Sequence, residues 1–161
     1  MFVAIDGIAA GFVTLADTVK PDASTAVQEL SMLGITATML TGDNQHSARS
    51  VAGEIGINSF KAELLPQQKL NAITEAKTAG AVIGMVGDGI NDAPALAAAD
   101  IGIALSSGSD IAVESAAVTV TGSDLRKVPQ VIRLARAIVR NIKQNLFWAF
   151  FYNVITIPVA A

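Results

Sequence analysis

The chain has no cysteine among its 161 residues, which removes disulfides, thiolate metal sites and cysteine nucleophiles from within it. Charge is scarce as well: 16% of residues are charged against 52% hydrophobic, and the mean hydropathy is +0.50. That balance is too apolar for a comfortable soluble domain, so part of the chain is expected to meet lipid or a large partner. An excess of positive charge is also missing. A net charge of −3 and a pI near 5.0 give no reason to expect nucleic acid. Met1 precedes a strand-like run rather than a charged segment and an apolar core, so the start does not read as a signal peptide. No repeat or low-complexity tract is visible, and the length would fit one ordinary domain.

What is present is concentrated in Met85-Val-Gly-Asp-Gly-Ile-Asn-Asp-Ala-Pro-Ala-Leu96. The preceding run Ala81-Val-Ile-Gly-Met-Val86 is apolar enough for a strand buried on both faces, and Gly87 and Gly89 allow a sharp turn at its carboxyl end. Asp88 then projects from the strand end, with Asn91 and Asp92 in the first turn of a helix through Ala98. Hard cations such as Mg²⁺ take carboxylate oxygens and keep several waters, so one or two aspartates beside a phosphate-binding turn suffice. Helix capping alone needs one such residue, and three are here.

A second loop repeats the arrangement. Ile35-Thr-Ala-Thr-Met-Leu40 reads as a strand, and Thr41-Gly42-Asp43-Asn44 opens a helix with Ala48, Val51, Ala52 and Ile55 on one face and a stop at Gly56. Both loops leave the carboxyl ends of strands, the edge of a parallel sheet where ligands bind. Thr41 offers a hydroxyl, and the helix start offers free N–H groups to phosphate oxygens; an ordinary N-cap is the alternative. Lys69 lies one turn into a helix beginning near Pro66, where its arm could reach a phosphate held by both loops or simply face solvent.

Together, Thr41-Gly-Asp, Lys69 and Gly87-Asp-Gly-Ile-Asn-Asp92 resemble the second, third and fourth motifs of the haloacid dehalogenase-like phosphotransferases. The wording Gly87-Asp-Gly-Ile-Asn-Asp-Ala-Pro-Ala-Leu96 is similar, more narrowly, to the heavy-metal branch of the P-type ATPases. The resemblance implies ATP as substrate, Mg²⁺ as cofactor and an aspartate, in an Asp-Lys-Thr-Gly-Thr segment, that is phosphorylated and then hydrolysed. No such segment occurs in this sequence. The family places it upstream of an inserted nucleotide-binding domain, so this chain is expected to begin after most of that insert and to rely on missing actuator, nucleotide-binding and transmembrane parts. In the implied mechanism Asp88 and Asp92 hold Mg²⁺, with Asp92 and Asn91 also ordering the turn. Thr41, on its Gly42 turn, and Lys69 neutralise phosphate charge. Asp43 orders its loop and meets a neighbouring domain.

The organisation agrees with an α/β fold. Phe2-Val-Ala-Ile-Asp-Gly7 and Gly11-Phe-Val-Thr-Leu-Ala16 form an expected hairpin, by resemblance the last one of the nucleotide-binding domain (1–16). Strands near 35–40, 59–63, 81–86, 101–105 and 117–121 alternate with helices, a rhythm that implies a parallel sheet covered by helices on both faces. By resemblance this is a Rossmann-like, haloacid dehalogenase-like phosphorylation domain (17–124), in whose sheet the strand bearing the nucleophile is central. Ala104-Leu-Ser-Ser-Gly-Ser-Asp110 makes a further loop that either shapes the phosphate end or is a plain turn.

From Leu125 onward one long helix is expected (125–161). Arg126, Lys127, Arg133, Arg136, Arg140 and Lys143 crowd its first part, and the 16 residues from Leu146 to Ala161 carry no charge. This is the border of a helix entering a bilayer from the cytoplasm, a truncated transmembrane helix short of the ~20 residues of a span; a buried soluble helix is the alternative. Tyr152 and Asn153 are polar groups in an apolar stretch, either an interfacial pair or part of a transport path. Asn145-Leu-Phe-Trp-Ala-Phe-Phe-Tyr-Asn153 and Ile157-Pro-Val-Ala-Ala161 look like the helix of copper(I)-transporting P-type ATPases that helps form the membrane metal site. That resemblance implies an integral membrane protein with residues 1 to about 144 cytoplasmic, membrane lipid and a transported Cu⁺ (or silver) ion as partners, and copper efflux. Zinc and cadmium pumps carry a lysine in that helix, and none is present. A soluble phosphatase of the same superfamily and a non-catalytic module that kept the fold are the alternatives.

Overall fold

The computed structural model describes residues 2–12, 18–87, 90–105 and 114–160. A hairpin opens the chain, with its second strand earlier than the expected 11–16, of which residues 13–16 lie outside the described residues: β1 (Phe2–Ile5) and β2 (Ile8–Phe12) pair antiparallel. Asp6 and Gly7 between them both have positive φ, at 51° and 80°, the turn whose twist suits a hairpin. The βα alternation follows: α1 (Ala23–Met32), β3 (Thr38–Leu40), α2 (Gln45–Ile55), β4 (Ser59–Lys61), α3 (Pro66–Thr78) and β5 (Gly84–Gly87). A single 3₁₀ turn (Ile90–Asp92) leads into α4 (Ala93–Ala98), β6 (Ile101–Leu105), β7 (Val118–Val120) and the long α5 (Lys127–Ala160).

All pairings after the hairpin are parallel, but they form two ladders, β3 with β4 and β5–β6–β7 in that order. Leu40 at the end of β3 packs against the cluster that contains Met85 of β5, yet no ladder joins those strands among the described residues.

Side-chain alternation along the three-stranded ladder builds a core on each face. Met85 faces Ile73 of α3 and Ala95 and Leu96 of α4. The next residue, Val86, faces the opposite cluster, where Ile103, Leu105 and Val120 meet Val128 of α5 and Leu30 of α1. Helices therefore cover both faces. The expected strand 81–86 starts later, at Gly84: Ala81–Ile83 form a link after α3, and Val82 in that link is 85% exposed, while Met85 and Val86 of the strand itself meet cores on opposite faces.

The last element is one helix of 34 residues, and no described helix is long and apolar enough to cross a membrane. The first turns of α5 dock on the α/β unit through Val128, Val131 and Ile132. Much of the basic stretch binds protein: Arg126 pairs with Asp124, Lys127 donates to the Thr121 carbonyl, Arg133 pairs with Glu29, and Arg136 Nη1 donates to the Leu33 carbonyl at 2.8 Å. Arg136 thereby satisfies a carbonyl at the carboxyl end of α1.

Candidate functional site

β3 delivers Thr41 to the site and a small hydrogen-bonded loop holds it there. Thr41 N–H donates to the Lys61 carbonyl at 3.0 Å, extending the β3–β4 ladder by one residue. Its hydroxyl donates to Asp43 Oδ2 at 2.7 Å and accepts from Asp43 N–H at 3.1 Å. Asp43 thus orders the loop and fixes the Thr41 rotor, as expected of it. The carbonyls of Thr41 and Asp43 accept from Leu64 N–H (3.0 Å) and Glu63 N–H (2.8 Å), so the segment before α3 straps this loop. The strap was not visible in the sequence: it depends on Glu63 adopting φ +57°, which no residue type there announces. Gly42 lies under the strap, where a Cβ would sit 3.4 Å from the Leu64 carbonyl oxygen. Asn44 is the N-cap of α2, accepting from Ser47 N–H at 2.9 Å, so Asn44 itself takes the capping alternative.

α3 places Lys69. Pro66 opens the helix, and Gln68 Oε1 accepts from Leu65 N–H at 2.7 Å, fixing the first turn. Lys69 Nζ then lies 2.8 Å from Asp92 Oδ1, with both side chains 16% exposed. Lys69 is therefore directed into the molecule, not solvated. Asp92 ends the 3₁₀ turn, and its carboxyl packs on the end of β5: a Cβ on Gly87 would lie 2.9 Å from Asp92 Cβ and 3.0 Å from its Oδ2. Gly87 is thus needed for close approach; it ends β5 with a φ outside the left-handed region, so the turn does not depend on it. Asn91 lies exposed in the same turn. Asp88, Gly89 and residues 106–110 of the third loop lie outside the described residues.

Thr41, Asp43, Lys69, Asn91 and Asp92 accordingly stand on loops and a helix start at the carboxyl ends of β3 and β5. Tyr152 and Asn153 do not join them. They are exposed on the distal half of α5, where Thr156 Oγ1 donates to the Tyr152 carbonyl at 2.8 Å.

The other end of the ladder holds a latch that the motifs did not suggest. Asp100, after α4, accepts from Ile83 N–H at 2.8 Å and pairs with Lys77 at 3.0 Å, while Lys77 also donates to the Ala98 carbonyl. The Ile83 N–H, with Lys77, holds the Asp100 carboxyl below its ordinary value of 3.8. Above it, α4 crosses β6 so closely that a Cβ on Gly102 would lie 2.6 Å from the Leu96 carbonyl oxygen. A glycine inside an apolar strand is the signal that could have found this contact.

The α/β unit carries a threonine loop, a lysine and an acidic turn at one sheet edge, and the sequence pattern of haloacid dehalogenase-like hydrolases matches residues 2–100. The chain belongs to that family. It is similar over its whole length to P-type ATPases: it is 49% identical to a copper-exporting P-type ATPase of Staphylococcus saprophyticus and 50% identical to a copper-transporting P-type ATPase of Rhizobium leguminosarum. It spans about one fifth of the length of these curated relatives, 20% and 19% respectively. Among solved structures, a zinc-transporting PIB-type ATPase in the E2.Pi state superposes with a TM-score of 0.84 at 44% identity, covering 99% of this chain and 27% of that one.

Proposed function

We propose that the chain is the carboxyl-terminal part of the phosphorylation domain (17–124) of a copper(I)-exporting P-type ATPase. In this reading 1–16 is the last hairpin of the nucleotide-binding domain, and 125–161 is a stalk helix running into the bilayer. One observation carries the reading: Lys69 and Asp92 meet beside the Thr41 loop, at the break between β3 and β5. That break suits one additional central strand, the place the family gives to the strand bearing the phosphorylated aspartate. The aspartate itself would come from sequence outside this chain.

Thr41 and Lys69 would bind the transferring phosphoryl group, whose loose transition state is stabilised mainly by positioning and charge. For Thr41 this asks only that its hydroxyl proton turn from Asp43 to a phosphate oxygen. The oxygen donors present fit Mg²⁺: Asp92 is held in place by Lys69 and Gly87, and Asp88 lies four residues before Asp92 in sequence. Asp88 and Asp92 would hold the ion, which when bound supplies charge neutralisation at the phosphate.

The likeness of the α/β unit does not choose the ion, since relatives of similar identity are named for copper and for zinc. The choice rests on Tyr152 and Asn153, neutral groups suited to a soft monovalent ion whose remaining ligands lie on other helices. The test is phosphorylation of the full-length protein by labelled ATP with Mg²⁺. Asp88→Ala should abolish the acid-stable, hydroxylamine-sensitive product, Lys69→Ala should weaken it, and the 161-residue chain alone should form none. Parental labelling in both variants, or labelling of the chain alone, contradicts the proposal.

A further inference from the structure

Two cations of α5 are left over once its contacts with the α/β unit are assigned. Arg126, Lys127, Arg133 and Arg136 bind protein groups; Arg140 and Lys143 take part in no hydrogen bond or ion pair among the described residues, and α5 contains no Asp or Glu from Lys127 to Ala160. Arg140, Lys143, Gln144, Phe147 and Trp148 follow helical spacing down one stripe. They line an open concavity of about 460 Å³ whose near end is Arg136. The Trp148 ring is braced edge-on by Phe147 and Phe151, with centroids 5.4 and 5.7 Å away. The uncharged segment begins at Leu146, inside this stripe.

We propose that Arg140, Lys143 and Gln144, with the Trp148 indole, bind the phosphate of an anionic phospholipid headgroup. The inference rests on the reading of 146–161 as entering a bilayer. The donor set suits such a ligand: a guanidinium fork and an ammonium for phosphate oxygens, an amide and an indole N–H for the remaining acceptors, and aromatic faces for the first methylenes of the acyl chains. Charge complementarity selects the occupant, because cations without an acid on their own helix favour an anionic lipid over a zwitterionic one. A merely solvated helix face would show no preference for the identity of the cations removed.

Trp148 is the only tryptophan, so its fluorescence reports the site directly. The 161-residue chain is titrated with vesicles of phosphatidylcholine, with and without equimolar phosphatidylglycerol, and with inorganic phosphate alone. Phosphatidylglycerol should tighten binding, and the double variant R140Q/K143Q should reduce that advantage by roughly thirtyfold, as expected for losing two surface cations. The charge-matched control R126Q/R133Q, whose cations are paired with Asp124 and Glu29, should keep it. Quenching of Trp148 by lipid labelled near the headgroup should be stronger when the label is on phosphatidylglycerol. Equal losses in the two double variants would overturn the site in favour of net charge. Equal binding to both vesicles would overturn the site and leave the membrane reading standing; binding to neither would overturn both. An equal response to inorganic phosphate without vesicles would overturn the lipid as ligand.

Discussion

Lys69 Nζ and Asp92 Oδ1 stand 2.8 Å apart, joining the first turn of α3 to the turn that opens α4. The contact lets one strand-end loop sense the other: Lys69 follows the strap that fixes Thr41, and Asp92 rests on Gly87 at the end of β5. Removing the lysine leaves a mostly buried carboxylate without its counter-ion, a cost of about 1–3 kcal/mol. Lys69→Ala should therefore lower the unfolding midpoint modestly while preserving the far-ultraviolet circular dichroism. An unchanged midpoint would show that the pair contributes nothing.

Gly87→Ala should be more damaging than its size suggests. The added methyl meets Asp92 Cβ at 2.9 Å, so either the turn or β5 must move, at about 1–3 kcal/mol for an overpacked site. In the full-length protein, phosphorylation should fall more than stability does. Parental phosphorylation in Gly87→Ala would mean that the Asp92 position is not critical.

A matched pair of strand glycines tests the seating of α4. Gly102→Ala pushes against the Leu96 carbonyl oxygen at 2.6 Å, whereas a Cβ on Gly84 has only the Ile101 carbonyl oxygen at 3.9 Å. Gly102→Ala should destabilise by at least about 1 kcal/mol and Gly84→Ala by less than about 0.5 kcal/mol. Equal denaturant midpoints for the two variants would refute the close crossing.

The Asp100 latch makes a pH-dependent contribution of known sign. The folded-state carboxyl titrates below its ordinary value of 3.8, so its stabilisation is present above that value and is lost as pH falls through the lowered one. Asp100→Asn should flatten the acid limb of the stability profile below about pH 4. Asp124, held low chiefly by Arg126, titrates in the same direction and remains in that variant, so the difference curve isolates Asp100. A difference curve with no pH dependence would contradict the assignment.

The βα rhythm and both site loops were legible because each rests on local pattern: glycines at strand ends, asparagine before a helix, proline at a helix start. Thr41, Lys69 and Asp92 fell where their motifs put them. What was illegible depends on partners distant in the chain. Nothing local in Arg133 or Arg136 reveals that Glu29 and the Leu33 carbonyl await them. The Asp100 latch joins α3, α4 and the start of β5, and the division of the parallel strands into two ladders is a property of pairing, which composition does not encode.

The most direct test of the account is ion-stimulated ATP hydrolysis by the full-length protein, compared between Cu(I) and Zn²⁺, with Asn153→Ala alongside. The account predicts stimulation by Cu(I), with Ag(I) as a substitute, little response to Zn²⁺ or Cd²⁺, and a lower Cu(I) stoichiometry in the membrane domain of Asn153→Ala. Equal stimulation by Zn²⁺, together with unchanged Cu(I) binding in Asn153→Ala, would contradict it.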